Sequence, residues 1–210
     1  DKISNNDNFE AIQIDVSKQS KVKECIDYII TKFKRIDVLI NNHQFKPKGF
    51  LDSSPEKLSL KLWQEIIEAN LTGTFIMCQE VGKTMLENKR GSIINFASTY
   101  GVVSSNPSLY NNNSMGNPIA YSASKGGVVM LSKYLGCYWG SKGVRVNCIT
   151  PHGVENNHED TFKKNFGKMS PLNRMMKVEE VVNPVLFLAS ETSSYINASN
   201  LMADGGWTSW

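Results

Sequence analysis

The feature that most constrains the fold is a repeated alternation of strand-like and helix-like segments. Short apolar runs occur at residues 36–40, 93–97, 144–149 and 200–203, and residues 11–16 have the same character. Amphipathic helical patterns lie between them, at residues 19–33, 58–86, 119–139 and 178–189, and the second contains a break. Ser17 is expected to cap the first helix. Such alternation predicts an α/β fold, with a parallel sheet covered on both faces, as one domain over residues 1–210.

Composition narrows the class of protein. The 210 residues are 40% hydrophobic and 20% charged, with a formal net charge of +3, which is ordinary for a globular domain. No basic stripe is interleaved with aromatic residues, so we expect no nucleic-acid partner. No apolar run approaches the ~18 residues of a membrane span, so we expect no membrane partner. The four cysteines form no close pair, which predicts buried free thiols in a reducing compartment, the cytoplasm.

Candidate proton-transfer chemistry is concentrated around Tyr121 and Lys125. Four residues apart in a helical pattern, they lie on one face, about one turn from each other. A cation beside a phenol lowers the phenol's pKa, which suits it to exchange a proton with a substrate oxygen. The same spacing recurs at Tyr28 and Tyr138, which we interpret as structural. Tyr121 differs because it follows a strand-like run that ends at a serine, Ser98.

Further motifs occur in a fixed order along the chain. They are Asp15-Val16, Asn41-Asn42, Asn70-Leu71-Thr72-Gly73, Ala97-Ser98, Tyr121 with Lys125, the run from Arg145 to Pro151, and Asp204-Gly205-Gly206. In this order they resemble the short-chain dehydrogenase/reductase family across essentially the whole chain. The resemblance implies a doubly wound Rossmann-type fold that binds NAD or NADP and requires no metal.

The resemblance also assigns roles to single residues. Tyr121 would exchange the proton in carbonyl reduction or alcohol oxidation, and Ser98 would bind the substrate oxygen. Lys125 would lower the pKa of Tyr121 and bind the nicotinamide ribose, and Asn70 would hold a water molecule that links Lys125 to solvent. The implied catalytic residues are Asn70, Ser98, Tyr121 and Lys125. The implied cofactor-binding residues are Asp15, Val16, Asn41, Asn42, Tyr121, Lys125, Pro151, Gly153 and Val154.

The chain departs from the family pattern at three places. The glycine-rich turn that binds the pyrophosphate is absent, since residues 11–16 would already be the third strand. We therefore expect the natural protein to be longer by a strand–helix–strand unit of roughly 30 residues or more. His43 replaces an alanine and puts the approach of the backbone to the cofactor in doubt. His152, after Pro151, is interpreted as a tolerated turn substitution facing the nicotinamide or solvent, with a catalytic role as a third possibility.

The segment before Tyr121 bears on the substrate. Residues 104–118 are rich in Asn, Ser, Pro and Gly. The segment is longer than is usual in the family, and in this it resembles the branch found in flagellin-modification and nonulosonate sugar pathways. Amide side chains both donate and accept hydrogen bonds, so the loop favours a sugar or sugar phosphate, unless it is only a longer lid. We predict an enzyme of carbohydrate biosynthesis, an NAD(P)-dependent oxidoreductase that interconverts an alcohol and a ketone.

Two alternative functions stay open. One is reduction of a 3-oxoacyl thioester, and the other is a non-catalytic nucleotide-binding member of the same fold. We expect either NAD or NADP, since the residue that distinguishes them would precede Asp1. The resemblance implies a homotetramer or homodimer. Candidates for that interface, or equally for the core, are Leu131, Tyr134, Leu135 and Tyr138.

Overall fold

The computed structural model describes residues 9–48, 50, 54–110, 116 and 119–210. In these residues four parallel strands form one sheet in the order of the chain. The strands are β1 (Val38–Asn41), β2 (Gly91–Phe96), β3 (Val144–Pro151) and β4 (Asn200–Ala203). Ile93 pairs with Leu39 on one side and with Val146 on the other, so β2 has a partner strand at both of its edges. The predicted parallel α/β fold is confirmed.

Six α-helices accompany the sheet in the described part of the chain. They are α1 (Gln19–Phe33), α2 (Leu60–Ile67), α3 (Gly73–Glu87), α4 (Ile119–Trp139), α5 (Asp160–Gly167) and α6 (Val178–Ala189). The bounds of α1, α4 and α6 agree with the sequence-based prediction, because each carries a continuous apolar face. Helix α5 has no counterpart among the predicted segments.

Two neighbouring residues of β2 show that the sheet is covered on both faces. Successive side chains of a strand point to opposite faces, yet Ile93 and Ile94 are both fully buried. Ile93 belongs to a core cluster that includes residues of α1, α3 and α4, whereas Ile94 packs with Val185 and Leu188 of α6. The sheet therefore lies between two helical layers, as in a doubly wound fold.

The break predicted in the helical pattern of residues 58–86 is a π-helical turn. It spans Glu68–Thr72 and joins α2 to α3 without an interruption of the helical backbone. Asn70 lies inside this turn, and its backbone carbonyl accepts a hydrogen bond from the Thr74 hydroxyl at 2.8 Å. Turns of this type are rare and occur frequently at functional sites. The turn directs the Asn70 side chain into the protein, where it is buried.

Two predictions near the start of the chain are wrong. Residues 11–16 form no strand, since they make no ladder with the described sheet. Ser17 does not cap α1, because Lys18 occupies the N-cap position. The Ser17 hydroxyl and backbone N–H instead donate to the Asp15 carboxylate, at 2.7 and 2.9 Å. Asp15 thus organises a local turn, in which short polar side chains compete with regular structure.

Four residues of α4 were candidates either for a subunit interface or for the core, and the structure divides them into two pairs. Leu135 is buried and Leu131 packs against the same core cluster. Tyr134 and Tyr138 are exposed, and their rings stack with centroids 6.1 Å apart. Cys137 of this helix is also exposed and Cys25 is only half-buried, so the prediction of buried thiols is confirmed for Cys78 and Cys148 and wrong for the other two. Across the described residues, no helix combines the length and apolar character that a membrane crossing needs.

Candidate active site

A cavity of about 480 Å³ opens where β1, β2 and β3 end. Parallel α/β sheets place their ligands outside the carboxyl ends of the strands, so this is the expected position of a binding site. Asn42 follows β1, Ser98 follows β2 and His152 follows β3, and all three line the cavity. Tyr121 and Lys125 reach it from α4. The structure therefore brings Ser98, Tyr121 and Lys125 together, and we call these three residues the proton-transfer group.

Ser98 is held between the end of β2 and a short 3₁₀ turn, Thr99–Gly101. Its side-chain oxygen accepts a hydrogen bond from the Tyr100 N–H at 3.2 Å. Gly101 allows this turn to lie directly against α4, because a Cβ at Gly101 would be 2.6 Å from the Lys125 carbonyl carbon. The close approach fixes Ser98 relative to the helix that carries the other two residues of the proton-transfer group.

Tyr121 lies in the first turn of α4 and lines the cavity together with Ser98, close enough for the two hydroxyls to interact. Its ring meets the ring of Phe50 edge-on, with centroids 6.0 Å apart. Burial raises the pKa of Tyr121, and the hydrogen bond to Ser98 opposes that rise. The proton therefore stays on the phenol at neutral pH.

Lys125 is buried, with 4% of the residue exposed. Its Nζ donates a hydrogen bond to the Phe96 carbonyl oxygen at 2.8 Å and lies 5.8 Å from the centre of the Tyr121 ring. Burial lowers the pKa of Lys125 to about 8. In this structure the ammonium is bound to a strand carbonyl and burial dominates the pKa of the phenol, so the effect of Lys125 on Tyr121 stays a prediction.

Asn70 lies behind the cavity rather than in its lining. Its side-chain oxygen accepts a hydrogen bond from the Phe45 N–H at 2.9 Å. Its side-chain nitrogen is buried and has no hydrogen-bond partner among the described residues. A buried donor left unpaired is costly, so this nitrogen is suited to hold a small polar molecule such as water.

The cofactor-binding residues implied by the resemblance fall into two groups. Asn42, Pro151, Gly153 and Val154 line the cavity, whereas Asp15, Val16 and Asn41 do not. Asn41 is buried, and its side-chain nitrogen donates to the Asn95 side-chain oxygen at 2.8 Å. In the described structure Asn41 therefore joins β1 to β2 beneath the cavity floor, and Asp15 is engaged in its own turn.

Both unusual histidines have defined surroundings. His43 is half-buried in the cavity lining, with Nε2 3.3 Å from the Thr74 hydroxyl, and burial lowers its pKa. His152 is 4% exposed and lies against the rings of Phe166 and Trp207, at centroid distances of 4.8 and 5.3 Å. The solvent-facing alternative for His152 is therefore wrong, whereas its direction toward the nicotinamide stays a prediction, since His152 also lines the cavity. Burial lowers the pKa of His152 as well.

One side of the cavity is lined by aromatic side chains that the sequence analysis did not identify. We call it the aromatic wall, and it comprises Tyr100, Tyr110, Phe162 and Phe166. Phe166 is its centre, with ring contacts to Phe162 and Tyr100, to His152 in the same lining, and to Trp207, which does not line the cavity. Phe162 and Phe166 are four residues apart on α5, which is the one local signal that could have revealed part of this wall.

The two other tyrosine–lysine pairs lie on the surface. Lys32 is 5.8 Å from the centre of the Tyr28 ring, and Lys142 is 4.2 Å from that of Tyr138. The spacing therefore produces a similar contact in all three pairs, and the pair of Tyr121 differs by lining the cavity.

The residues present fit a nicotinamide cofactor. A lysine ammonium has three N–H donors, and in the described residues we find one acceptor for Lys125, the Phe96 carbonyl. Two donors are therefore left for hydroxyl groups of a bound ligand. Within the described ranges, no three His, Cys, Asp or Glu side chains lie together as a metal site.

Comparison with known proteins identifies the family. Residues 1–208 match the family model described as enoyl-(acyl carrier protein) reductase. A D-threitol dehydrogenase of Mycolicibacterium smegmatis is 38% identical over 204 residues, which are 92% of this chain and 71% of that protein. A 3-oxoacyl-(acyl-carrier-protein) reductase of Chlamydia pneumoniae is 32% identical over 93% of this chain and 75% of its own length. The chain belongs to the short-chain NAD(P)-dependent dehydrogenase/reductase family of enzymes.

A solved structure supports the same assignment. The short-chain dehydrogenase of Leptospira borgpetersenii, determined with bound NAD⁺, superposes with a TM-score of 0.89 at 32% identity. The match covers 97% of this chain and 77% of that one. The predicted Rossmann-type fold and the predicted enzyme class are confirmed.

Proposed function

We propose that this protein interconverts a secondary alcohol and a ketone with NAD or NADP, and that its substrate is a polyol or sugar. The observation that carries the proposal is the proton-transfer group, in which a phenol, a serine hydroxyl and a buried lysine line one cavity. A non-catalytic nucleotide-binding protein has no need of this arrangement at the end of a cavity.

Each residue of the group has a distinct task. In the reducing direction Tyr121 donates its proton to the substrate oxygen, and Ser98 donates a second hydrogen bond to the same oxygen. Lys125 binds the cofactor's ribose hydroxyls with its two remaining donors, and Asn70 holds the water molecule that links Lys125 to solvent. The bound cofactor supplies or accepts the hydride.

The pKa of Tyr121 sets the pH dependence of the two directions. Because burial raises this pKa, the phenol is protonated at neutral pH and ready to act as an acid in reduction. Alcohol oxidation needs the phenolate, so its rate rises with pH until Tyr121 has lost its proton.

The cofactor contacts remain those that the family pattern implies. We propose that Asn42, Pro151, Gly153 and Val154 lie against the nicotinamide half, since they line the cavity. Asp15, Val16 and Asn41 belong to the adenine side in this proposal, with Asn41 acting from beneath the cavity floor.

The substrate class rests on the relatives and on the aromatic wall. The name of the D-threitol dehydrogenase points to a four-carbon polyol. Aromatic faces pack well against the C–H groups of such molecules, while tyrosine hydroxyls take the hydroxyl groups. The likeness to the nonulosonate branch adds a sugar phosphate as a variant of the same proposal.

A second candidate is reduction of a 3-oxoacyl thioester. The relative from Chlamydia pneumoniae favours it, and an apolar wall also suits an acyl chain. A screen of both substrate classes with NADH and NADPH separates the two candidates, because only an acyl reductase oxidises its cofactor with an acetoacetyl thioester.

We propose further that the exposed face of α4 joins a second copy in a homodimer or homotetramer in the cytoplasm. Met130, Tyr134 and Tyr138 are each more than half exposed on this helix. Light scattering of the full-length protein measures the oligomeric state directly.

The decisive experiment compares two identical substitutions. Tyr121→Phe removes the proton donor and is expected to lower kcat by about 10²–10⁴-fold. Tyr28→Phe is the matched control, because Tyr28 has a lysine at the same spacing but lies on the surface of α1. It should retain full activity.

Two results would contradict the proposal. Turnover that survives Tyr121→Phe nearly intact removes Tyr121 from the chemistry. A wild-type protein that binds neither NADH nor NADPH in a fluorescence titration favours the scaffold alternative.

A further inference from the structure

Two phenol groups of the aromatic wall form a hydrogen-bonded pair. The hydroxyl oxygens of Tyr110 and Tyr100 are 2.6 Å apart, with Tyr110 as donor, and the Ser105 hydroxyl donates to Tyr110 at 3.3 Å. Both tyrosines line the same cavity as Tyr121. We call Tyr100 and Tyr110 the phenol pair.

The phenol pair lies close to the proton-transfer group. Tyr110 and Tyr121 both pack against the buried cluster that contains Tyr100, and all three line the one cavity. Tyr100 is also two residues after Ser98, in the 3₁₀ turn that packs against α4. If Ser98 and Tyr121 bind the reacting oxygen atom of a substrate, the phenol pair is the next polar group along the aromatic wall.

The donor order of this chain of hydroxyls leaves one hydrogen unused. Ser105 donates to Tyr110 and Tyr110 donates to Tyr100. The three hydroxyls carry three hydrogens, and these two bonds use two of them. Tyr100 is 8% exposed, so a ligand in the cavity that accepts the remaining hydrogen completes a buried network.

Resting on the proposed function, we infer that the phenol pair is a specificity site for a second hydroxyl group, on the carbon next to the one that is oxidised. A hydroxyl both donates and accepts, so it can accept from Tyr100 and donate to a phenol oxygen. No charged side chain belongs to the pair, so the site suits a neutral diol. The residues select the substrate and do not exchange its proton.

The test uses two four-carbon alcohols that differ by one hydroxyl group. 2,3-Butanediol offers the second hydroxyl and 2-butanol does not, and D-threitol serves as a larger diol. The quantity measured is kcat/KM for each alcohol with the full-length protein, and the readout is the ratio of diol to mono-alcohol. Tyr100→Phe and Tyr110→Phe keep the ring contacts of the wall and remove one hydroxyl each.

We expect each substitution to lower the diol ratio by about tenfold, the effect of one lost hydrogen bond in a closed site. The kcat/KM for 2-butanol should change by less than about twofold. Tyr28→Phe is again the control, because Tyr28 is exposed on α1 and does not line the cavity. Its diol ratio should equal that of the wild type.

Three results would overturn the inference. An unchanged diol ratio in both variants removes the phenol pair from recognition. An equal loss for diol and mono-alcohol assigns the pair a structural role. A wild-type protein that oxidises no alcohol but reduces an acetoacetyl thioester rejects the polyol proposal and this inference with it, and so distinguishes the two failures.

Discussion

The two sides of the cavity are built by different means. The proton-transfer group depends on short sequence spacings and on strand ends, with Ser98 two residues after the end of β2 and Tyr121 one helical turn from Lys125. The aromatic wall draws on separate parts of the chain, with Tyr100 and Tyr110 before α4 and Phe162 and Phe166 on α5. The first side is polar and joined by directional hydrogen bonds, whereas the second is held mainly by ring packing.

This difference predicts different consequences of substitution. Loss of one side chain of the proton-transfer group should reduce the catalytic rate and leave the fold intact. The strands and α4 hold these side chains in place and do not depend on them. Loss of a ring should reduce stability first, because the wall is part of a buried cluster that includes Trp207. Substitutions that remove one side at a time can therefore test whether the two sides are independent.

The largest effect is expected from Phe166→Ala in the aromatic wall. Phe166 is 5% exposed and contacts four other rings. Truncation of such a residue lowers the free energy of unfolding by about 3–5 kcal/mol, which chemical denaturation measures. Phe33→Ala, at the exposed end of α1, is the control and should cost under about 1 kcal/mol. A loss at Phe166 as small as the control would show that the wall does not support the fold.

Ser98→Ala is expected to act on the other side of the cavity. Loss of one donor to the developing oxyanion lowers kcat/KM by about 10²–10³-fold, while the melting temperature stays close to that of the wild type. The hydrogen bond from Ser98 also lowers the pKa of Tyr121. The pH midpoint of alcohol oxidation should therefore move upward.

The control for Ser98 is Ser104→Ala, which removes an exposed hydroxyl from the following segment. It should leave both the rate and the pH midpoint unchanged. If Ser98→Ala instead unfolds the protein, the two sides of the cavity do not act independently.

Lys125→Met is expected to change how stability depends on pH. The pKa of Lys125 is about 8 in the folded protein, below its ordinary value of 10.5. Between these pH values the unfolded chain binds the proton and the folded protein does not, so the wild type gains stability as pH rises, by up to about 3 kcal/mol.

The variant lacks this titration. Its free energy of unfolding should therefore rise less between pH 8 and 10.5 than that of the wild type, when unfolding is measured at each pH. Lys133→Met, an exposed lysine of the same helix, serves as the control and should keep the wild-type rise. Equal pH dependence in wild type and Lys125→Met would show that the ammonium is hydrated rather than buried.

The sequence predicted the features that follow a short period or a fixed spacing. The helices α1, α4 and α6 and the meeting of Ser98 with Tyr121 are of this kind. The prediction for residues 11–16 was wrong because a strand exists only with a partner, and apolar alternation does not report the partner. The position of the Lys125 ammonium, on the Phe96 carbonyl, depends on the distance between α4 and β2, which no local pattern contains.

The aromatic wall was missed for a related reason. Its rings come from segments that are distant in sequence, and each is an ordinary apolar residue in its own segment. His152 shows the same limit, since its environment is set by Phe166 and Trp207 rather than by the turn that contains it.

The π-helical turn at Glu68–Thr72 makes the length of this segment as important as its side chains. A π-helical turn holds one residue more than an α-helical turn, so deletion of one residue from it would leave a continuous α-helix with α2 and α3 in place. Val81 and Met85 would keep their packing with Ile93 in the core, whereas Asn70 would lose its present position. The extra residue of this turn therefore serves the placement of Asn70 rather than the packing of α3.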